Sequence, residues 1–571
     1  MKAFASTRAR KRIGIALSAT TAPLLVAVAC SNTLQGTLSI VTGPDNGFAQ
    51  NPVPTSIQLS LINSLGEASV VAEASLPSAN GFSLPPQPGS AVDIIQVTGF
   101  DEAGTAVVSG ATVPVALDQI SGITLNIFVQ RTGQFSRLPA ADAGTLAAEF
   151  QWSDGGNLST TPLMTTLQAR YLLVADGLGK SPQTQLYDTL TWQLDPAPPN
   201  LPINPLSLVY VDQYTGSDAS VEAGGPTPVS ALLMLGAKGT AAWLDLTDST
   251  GTGADAEVLL DATAIATNYA TMVAGGQTLV TPGNTYVVGA TRLTSPKTNE
   301  VLRISPLGGI SWTTLTQPRL GAAAAYVSGS NVTAGIFVFG GESAGDAGSL
   351  TGVEFIPDSL TPSATAYFTL PFDTTKGAGA VAFDLTTSNP KIMLAGGVLA
   401  NGKGAPTRVF TVGSLIAQVP LTPNVDAGFD AAPATEAGAH DAATDALADA
   451  GKRDATLGTD AGTPGTSADA GDAGDAGVDA GNTYEIWPAL PVVLTSTQVY
   501  ALTDSTGPQG ASFIIVGTQA SGTTVAYTLT QTAVTPVPFR VNRTHGQSTL
   551  LPNGSLAVVG GDSGTIESFI P

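Results

Sequence analysis

The sequence predicts an all-β protein in which a β-sandwich is followed by a β-propeller of seven blades, with six as the alternative count. Three observations indicate this fold class. Short runs of alternating apolar and polar residues fill the first part of the chain. Apolar strands that end in a glycine turn recur through the rest, at intervals of about 55 residues, and a fixed period of this size is typical of propellers. One acidic, low-complexity tract interrupts the recurrence.

Residues 1–29 are expected to be a secretory signal peptide. Lys2 and four further basic residues up to Arg12 precede the apolar run 13–29. That run is short for a membrane span and contains Gly14 and Pro23, so we interpret it as the apolar part of a signal.

The run ends in LLVAVAC, and Cys30 is the only cysteine of the chain. These residues resemble the lipobox of bacterial lipoproteins, although Ala27 stands where that motif usually has leucine. The resemblance implies that Cys30 is lipidated after cleavage, that residues 30–36 form a tether, and that the membrane is a partner. Ser31, which is not an aspartate, favours the outer membrane by the same resemblance. The alternative is ordinary cleavage after Ala29, which leaves Cys30 as a free thiol.

The net charge argues against nucleic-acid binding, and the cysteine content excludes an intramolecular disulfide. Lys and Arg number 22 against 44 Asp and Glu, which gives a net charge of −22. Nucleic acid is not expected as a partner, because phosphate binding needs clustered cations. A single cysteine rules out an intramolecular disulfide.

Residues 37–132 are expected to form an immunoglobulin-like β-sandwich. The segments SIQLSLI (56–62) and ITLNIFVQR (123–131) alternate apolar and polar residues, which predicts sheets with one solvated face. About seven short strands separated by turn signals fit a sandwich of this kind. The region lacks the Cys…Trp…Cys pattern of antibody domains. A spacer and a binding module both remain open as its role.

Residues 133–571 carry seven recurring units. Their anchor residues are 60, 53, 51, 56, 121 and 43 residues apart, and they are Asp176, Gly236, Gly289, Gly340, Gly396, Gly517 and Gly560. Only 11 residues follow Gly560, which is too few to complete a four-stranded blade. Since a closed ring avoids exposed edges, we expect a strand from GQFSRLP (133–139) to complete the last blade.

Two segments, WTTLTQPRLGAAAAYVSG (312–329) and RTHGQSTLLPNGSLAVVGGDSGTIESFIP (543–571), resemble the kelch and galactose-oxidase family of propellers. The double glycine of that family is kept in three units, beginning at Gly340, Gly396 and Gly560. The resemblance does not extend to the family's copper site, which needs two histidines and a cysteine-linked tyrosine in the propeller. The two histidines here are His440, in the acidic tract, and His545. We therefore predict no metal, cofactor or catalytic residue, and we expect His545 to pack or hydrogen-bond in its blade.

The 121-residue interval contains the acidic tract 425–482, rich in Ala, Gly, Asp and Thr. It holds 11 Asp and 1 Glu against Lys452 and Arg453. So little apolar surface predicts disorder. Removing its 58 residues leaves 63 of the 121, so the tract is expected to be an insertion in blade 5. The EF-hand and GGxGxD patterns are missing, and a solvated tract is preferred to a calcium site.

Glu342 and Asp562 follow their double glycines at the same position, so they are the candidate ligand rim. The alternative is that they are exposed turn acids, like Asp154, Asp176 and Asp245. The sequence predicts a lipid-anchored cell-envelope protein, at the outer membrane or cell surface, whose propeller binds an envelope or extracellular protein or a glycan without catalysis. The alternatives are a secreted carboxylate-based glycan hydrolase or lyase, and an architectural envelope component.

Overall fold

The computed structural model describes residues 13–14, 24–26, 37–64, 66–76, 80–81, 92–116, 124–139, 162–175, 184–195, 198–214, 229–246, 259–260, 262–293, 299–305, 309–329, 332–342, 352–358, 366–370, 376–416, 484–503, 510–560 and 564–571. By its contacts the chain divides into two units, Met1–Leu421 with Thr483–Pro571, and Thr422–Asn482. The second unit lies outside the described residues, and so does the predicted disordered tract.

Regular structure in these ranges is nearly all β-strand, as the sequence predicts. The exceptions are a 3-10 turn, η1 (Gly47–Ala49), and two short helices, α1 (Thr263–Ala266) and α2 (Val412–Ile416). Within the described ranges, no helix combines the length and apolar character needed to span a bilayer.

The N-terminal region contains two principal sheets. Its strands are β1 (Ile13–Gly14), β2 (Leu24–Val26), β3 (Thr37–Val41), β4 (Ser56–Ile62), β5 (Ala68–Ser75), β6 (Asn80–Gly81), β7 (Val92–Phe100), β8 (Ala106–Ala111), β9 (Val115–Ala116), β10 (Thr124–Phe128) and β11 (Gln130–Arg131). One sheet has the order β10-β3-β2, in which β3 and β10 run parallel. The larger sheet has the order β11-β8-β7-β4-β5, with β9 beside β7, while β1 pairs only with β6.

The two sheets enclose one apolar core. Alternate residues of β4 point into it, as the period-two pattern predicts. The buried members from both sheets include Leu38, Ile40, Ile57, Leu59, Leu61, Ile95, Val97, Val108, Leu125 and Ile127. The region is therefore a β-sandwich.

The other face of β10 differs from the expectation of a solvated surface. Phe128 is buried in a core shared with the propeller, and its ring lies 5.3 Å from that of Trp192. The Asn126 Nδ2 donates to the carbonyl of Thr191 at 2.7 Å. The polar and aromatic residues that alternate with the sandwich core thus form a second buried contact.

The rest of the described chain forms seven four-stranded antiparallel sheets. Six are built from consecutive strands. They are blade 1, β13 (Leu163–Leu167), β14 (Tyr171–Ala175), β15 (Thr184–Asp188) and β16 (Gln193–Leu194); blade 2, β17 (Pro205–Tyr214), β18 (Val229–Gly236), β19 (Ala241–Asp245) and β20 (Leu259–Leu260); blade 3, β21 (Tyr269–Val280), β22 (Thr285–Arg292), β23 (Glu300–Ile304) and β24 (Ile310–Thr314); blade 4, β25 (Ala323–Gly329), β26 (Val332–Phe339), β27 (Gly352–Pro357) and β28 (Ala366–Thr369); blade 5, β29 (Gly379–Phe383), β30 (Lys391–Ala395), β31 (Thr407–Thr411) and β32 (Tyr484–Trp487); and blade 6, β33 (Ser496–Thr503), β34 (Ser512–Thr518), β35 (Thr524–Thr530) and β36 (Val534–Pro536).

Blade 7 joins the two ends of the propeller. It combines β37 (Gln547–Leu550), β38 (Leu556–Val559) and β39 (Glu567–Phe569) with β12 (Phe135–Arg137). The strand β12 runs antiparallel to β39, with Phe135 opposite Phe569. This confirms the closing strand predicted from GQFSRLP, and the pairing removes an open edge from the last blade.

The second strand of each blade has a continuous apolar run because both of its faces are buried there. In β26, Phe337 and Phe339 enter the core between blades 4 and 5, whereas Ile336 and Val338 enter the core between blades 3 and 4. Seven such cores join successive blades, and the last joins blade 7 to blade 1. The ring therefore closes with seven blades.

The acidic tract interrupts a single sheet. The strand β31 ends at Thr411 and pairs directly with β32, which begins at Tyr484. The residues between them are consequently an insertion within blade 5, as the interval between anchor glycines predicts.

Candidate functional site

The propeller has two faces that the strand order defines. The first strands of successive blades contact one another around the ring. We call the end at which these inner strands begin the entry face; it also carries the turns between second and third strands. The opposite end carries the turns between first and second strands, and we call it the sandwich face.

The sandwich packs against the second of these faces, at blades 7 and 1. The Asn553 Nδ2, in the turn between β37 and β38, donates to the carbonyl of Ala111 at 3.0 Å. Thr191, which accepts from Asn126, lies in the turn between β15 and β16. Leu190 of the same turn is buried in the sandwich core. The entry face therefore points away from the sandwich.

Charged groups fix a second contact of the sandwich, with β12 at the outer edge of blade 7. The Arg137 side chain in β12 forms an ion pair with Asp45, with Nη2 to Oδ1 at 2.8 Å, and its backbone N–H also donates to Asp45. Burial raises the pKa of the Asp45 carboxyl, but the hydrogen bonds and charge of Arg137 outweigh it and hold that pKa below its usual value. Arg131 is buried beside them and donates to the carbonyls of Gly47, Gln50 and Pro52.

Glu342 lies on the entry face, directly after β26. Its backbone pairs with Leu320, and its Oε2 accepts from the Lys376 Nζ at 2.5 Å. Lys376 precedes the inner strand of the next blade, so the ion pair bridges blades 4 and 5. The Glu342 side chain is 33% exposed and the Lys376 side chain is 56% exposed, so both remain accessible to a partner. No sequence pattern indicates that Lys376 is the neighbour of Glu342.

Most of the other candidate residues lie outside the described ranges. Asp245 ends β19 in blade 2. Cys30, Asp562, Asp154, Asp176 and His440 lie outside the described residues. The structure thus places one of the two candidate rim acids, and it groups no three His, Cys, Asp or Glu side chains of the described ranges as metal ligands.

Two buried ion pairs, which the sequence analysis missed, hold the entry loops of blades 4 and 7. Arg319 and Glu354 meet at 2.8 Å with both side chains fully buried. The Arg319 Nη1 also donates to the carbonyls of Gly340 and Gly352, at 2.9 and 3.0 Å. The arginine therefore ties the entry loop to both sides of the glycine turn.

The blade 7 pair is Arg543 and Glu567, at 3.5 Å, again fully buried. Arg543 donates to the carbonyls of Gly560 and Thr565. Burial raises the pKa of the Glu567 carboxyl, and the charge of Arg543 opposes that rise. Blades 4 and 7 share a sequence signal for this pair. An arginine stands four residues before Ala323 or Gln547, the inner-strand residue whose partner directly precedes the double glycine, and the third strand contains a glutamate.

His545 occupies an unusual backbone position on the entry face. Gln547 of blade 7 and Ala323 of blade 4 are equivalent, because each pairs with the residue before the anchor glycine. Two residues earlier lie His545 and Gly321, with φ of 50° and 66°. The sequence predicts that His545 packs or hydrogen-bonds in its own blade, but it does so against blade 6: its backbone N–H donates to the carbonyl of Gly522 at 2.9 Å, and its ring lies against Gly522. Its imidazole is exposed.

No known protein family matches the sequence, and no curated protein does. Among solved structures the chain is similar to AofleA from Arthrobotrys oligospora, with 10% identity over 69% of this chain and 93% of that chain and a TM-score of 0.33. It is also similar to YjhT, with 11% identity over 69% and 100% of the two chains and a TM-score of 0.29. The NanB sialidase from Streptococcus pneumoniae shares 9% identity over 95% and 91%, with a TM-score of 0.27. These TM-scores are too low to support the fold assignment, which rests on the strand pairing alone.

Proposed function

We propose that this protein is a non-enzymatic, lipid-anchored cell-envelope protein whose propeller binds a protein or a glycan through its entry face. The observation that carries the proposal is the position of the sandwich, which packs on the opposite face at blades 7 and 1. A sandwich docked there leaves the entry face, with Glu342 and Lys376, turned toward a partner.

The membrane anchor belongs to the same proposal. Cys30, after the basic and apolar leader, is the residue that would carry the lipid, and the outer membrane or cell surface is the proposed location. Two or three acyl chains would anchor the protein stably, since each buried methylene contributes about 0.8 kcal/mol. Intact-mass analysis of the membrane-bound protein should find a diacyl or triacyl adduct on Cys30, and a bare N-terminus there would contradict the anchor.

The proposal includes two finer descriptions of the fold, a kelch-like propeller and an immunoglobulin-like sandwich. The double-glycine turns of blades 4, 5 and 7 support a kelch-like propeller. For the sandwich we retain the immunoglobulin-like description and the role of a spacer. Contacts such as that between Phe128 and Trp192 support a spacer that is packed firmly on the propeller.

Two alternatives come from other classes. A secreted hydrolase or lyase would use carboxylates on the entry face, as paired acids do in glycosidases. Within the described ranges Glu342 pairs with Lys376 and not with a second acid, which favours a binding role over the paired acids of a glycosidase. An architectural envelope component would need neither Glu342 nor Asp562.

The proposal is tested with the full mature chain and the variants Glu342→Ala and Asp562→Ala, each captured against envelope protein and polysaccharide fractions. We expect retention of the partner to fall about tenfold in each variant, the loss of roughly one charge-assisted contact. Glu102→Ala, an exposed acid in a turn of the sandwich, is the matched control and should bind normally.

A measurement of substrate turnover distinguishes the hydrolase or lyase from the binding protein. Release of reducing ends or unsaturated products from the polysaccharide fraction, abolished by Glu342→Ala, would replace the binding proposal with the hydrolase or lyase. Unchanged retention in both acid variants would leave only the architectural role.

A further inference from the structure

The left-handed entry position distinguishes blade 7 from blades 3, 4 and 5. In blades 3, 4 and 5 the residue at this position is Gly275, Gly321 or Gly377, with φ of 75°, 66° and 77°. Glycine adopts such angles without steric cost. In blade 7 the residue is His545, with φ of 50°. Residues held in sparsely populated backbone regions cluster at ligand-binding sites, so this position calls for a functional explanation.

The imidazole of His545 packs against the neighbouring blade. The His545 N–H is held by the Gly522 carbonyl, and the ring lies against Gly522, where an added Cβ would come within 3.0 Å of Cε1. The side chain is exposed, and neither ring nitrogen hydrogen-bonds a residue in the described part of the chain. A positioned donor and acceptor therefore face solvent on the entry face.

Two uncharged hydroxyls flank Gly522 in the turn on which this ring lies. The turn between β34 and β35 crosses the entry loop of blade 7, where Thr523 forms a backbone bridge with Thr544. Ser521 and Thr523 of that turn are exposed, and the Ser521 Oγ donates to the Thr523 Oγ1 at 3.0 Å. Hydroxyl groups both donate and accept, as the hydroxyls of a sugar do.

The described cations of this entry loop are already engaged. Arg543 is buried in its ion pair with Glu567, and the exposed Arg540 donates to the Phe135 carbonyl and the Gln134 Oε1 at the outer edge of blade 7. Phosphate or carboxylate recognition relies on cations that are free to form charge-assisted hydrogen bonds. An anionic ligand is therefore disfavoured at this position, and an uncharged one that presents many hydroxyls is favoured.

We infer that His545, Ser521 and Thr523 form a subsite for an uncharged glycan between blades 6 and 7. This inference rests on the proposed binding function of the entry face and names the ligand class of one part of it. The imidazole and the two hydroxyls hydrogen-bond sugar hydroxyls, and Gly522 leaves room for the ring.

The test uses the full mature chain and titration calorimetry with cellotetraose, chitotetraose and maltotetraose, and with tetragalacturonate as the acidic probe. We expect at least one neutral oligosaccharide to bind. His545→Gly should weaken that binding about tenfold, and Ser521→Ala with Thr523→Val by a similar factor, as expected for lost hydrogen bonds. Because glycine suits the left-handed backbone, His545→Gly should unfold at an unchanged or higher temperature.

Lys238→Gly is the matched control. Lys238 is an exposed residue with φ of 57° in the turn between β18 and β19, on the same face in blade 2. The control makes the same backbone change away from the subsite, so it should bind the oligosaccharide with unchanged affinity.

Three results would overturn the subsite: no binding of any neutral oligosaccharide, binding of tetragalacturonate alone, or equal affinity in wild type and His545→Gly. The proposed function is judged separately, by the effect of Glu342→Ala on the envelope partner. If that effect persists while His545→Gly is silent, the entry face binds its partner and the subsite is wrong.

Discussion

Single residues in this propeller decide how closely the blades approach at the entry face. Arg319 and Arg543 are fully buried charges, each compensated by a glutamate and by backbone carbonyls. A buried charge is tolerated only with such partners, so these side chains hold the entry loops in one arrangement. They bring the glycine turns next to the loops that carry His545 and Leu320, the backbone partner of Glu342.

Glycine at the entry position also lets the next blade approach closely. A matched pair of substitutions separates this effect from that of the left-handed backbone conformation. Gly377 and Gly402 both have φ of 77°. A Cβ on Gly377 would clash with the Thr495 carbonyl oxygen, whereas one on Gly402 would meet nothing within 4 Å. The close approach of blades 5 and 6 thus requires a residue without a side chain.

We predict that Gly402→Ala lowers the free energy of unfolding by about 1 kcal/mol, the cost of the left-handed conformation alone. Gly377→Ala should cost about 2–5 kcal/mol, because overpacking adds to it. Urea unfolding followed by tryptophan fluorescence measures both. Equal losses in the two variants would show that the contact with Thr495 is unimportant.

At the scale of strands, the pattern of each element follows from what covers it. Second strands such as β30 are apolar through their centre because Ile392 and Leu394 face blade 4 while Met393 faces blade 6. The strand β5 at the sandwich edge has largely exposed side chains, and its sequence ASVVAEAS is correspondingly mixed. Continuous and alternating patterns therefore distinguish the two domains at the level of sequence.

The closing strand β12 gives a prediction at this scale. Phe135 is fully buried, 4.5 Å from the ring of Phe539 and 5.4 Å from that of Phe569. Phe135→Ala should lower the free energy of unfolding by about 3–5 kcal/mol. Because β12 holds the edge of blade 7, hydrogen exchange should accelerate in β37, β38 and β39 before the other blades.

The control for this strand is Leu550→Ala, in the same blade but 41% exposed, which should change stability by less than about 1 kcal/mol. Uniform exchange across all seven blades in Phe135→Ala would contradict a closing role confined to blade 7.

For the whole molecule, the packing of the sandwich on the propeller is the decisive feature. Asp45 of the sandwich and Arg137 of blade 7 are paired across the junction. The pKa of Asp45 lies below its usual value, so the folded state favours its charged form. The stabilisation is therefore fully present above the ordinary carboxyl pKa of about 3.9 and is lost as pH falls through the lower folded-state value.

We predict that Asp45→Asn lowers the free energy of unfolding by about 1 kcal/mol at pH 7, a modest figure because Arg137 is 39% exposed. The difference from wild type should shrink as the pH is lowered toward 3, since the wild-type carboxylate then becomes neutral. Thermal unfolding at a series of pH values measures it, with Glu102→Gln as an exposed control. A constant difference across the series would show that the charge of Asp45 is not the cause.

The sequence by itself determined the all-β class, the sandwich before a propeller, the closing strand and the place of the insertion in blade 5. These follow from local patterns: alternation reports a half-buried strand, and a recurring glycine anchor counts blades. Only the tertiary structure decided that Phe128 faces the propeller, that Lys376 pairs with Glu342, and that His545 is exposed in a left-handed conformation. Periodicity shows that a strand has two faces, but what covers the second face depends on residues distant in the chain, which meet only when the ring closes.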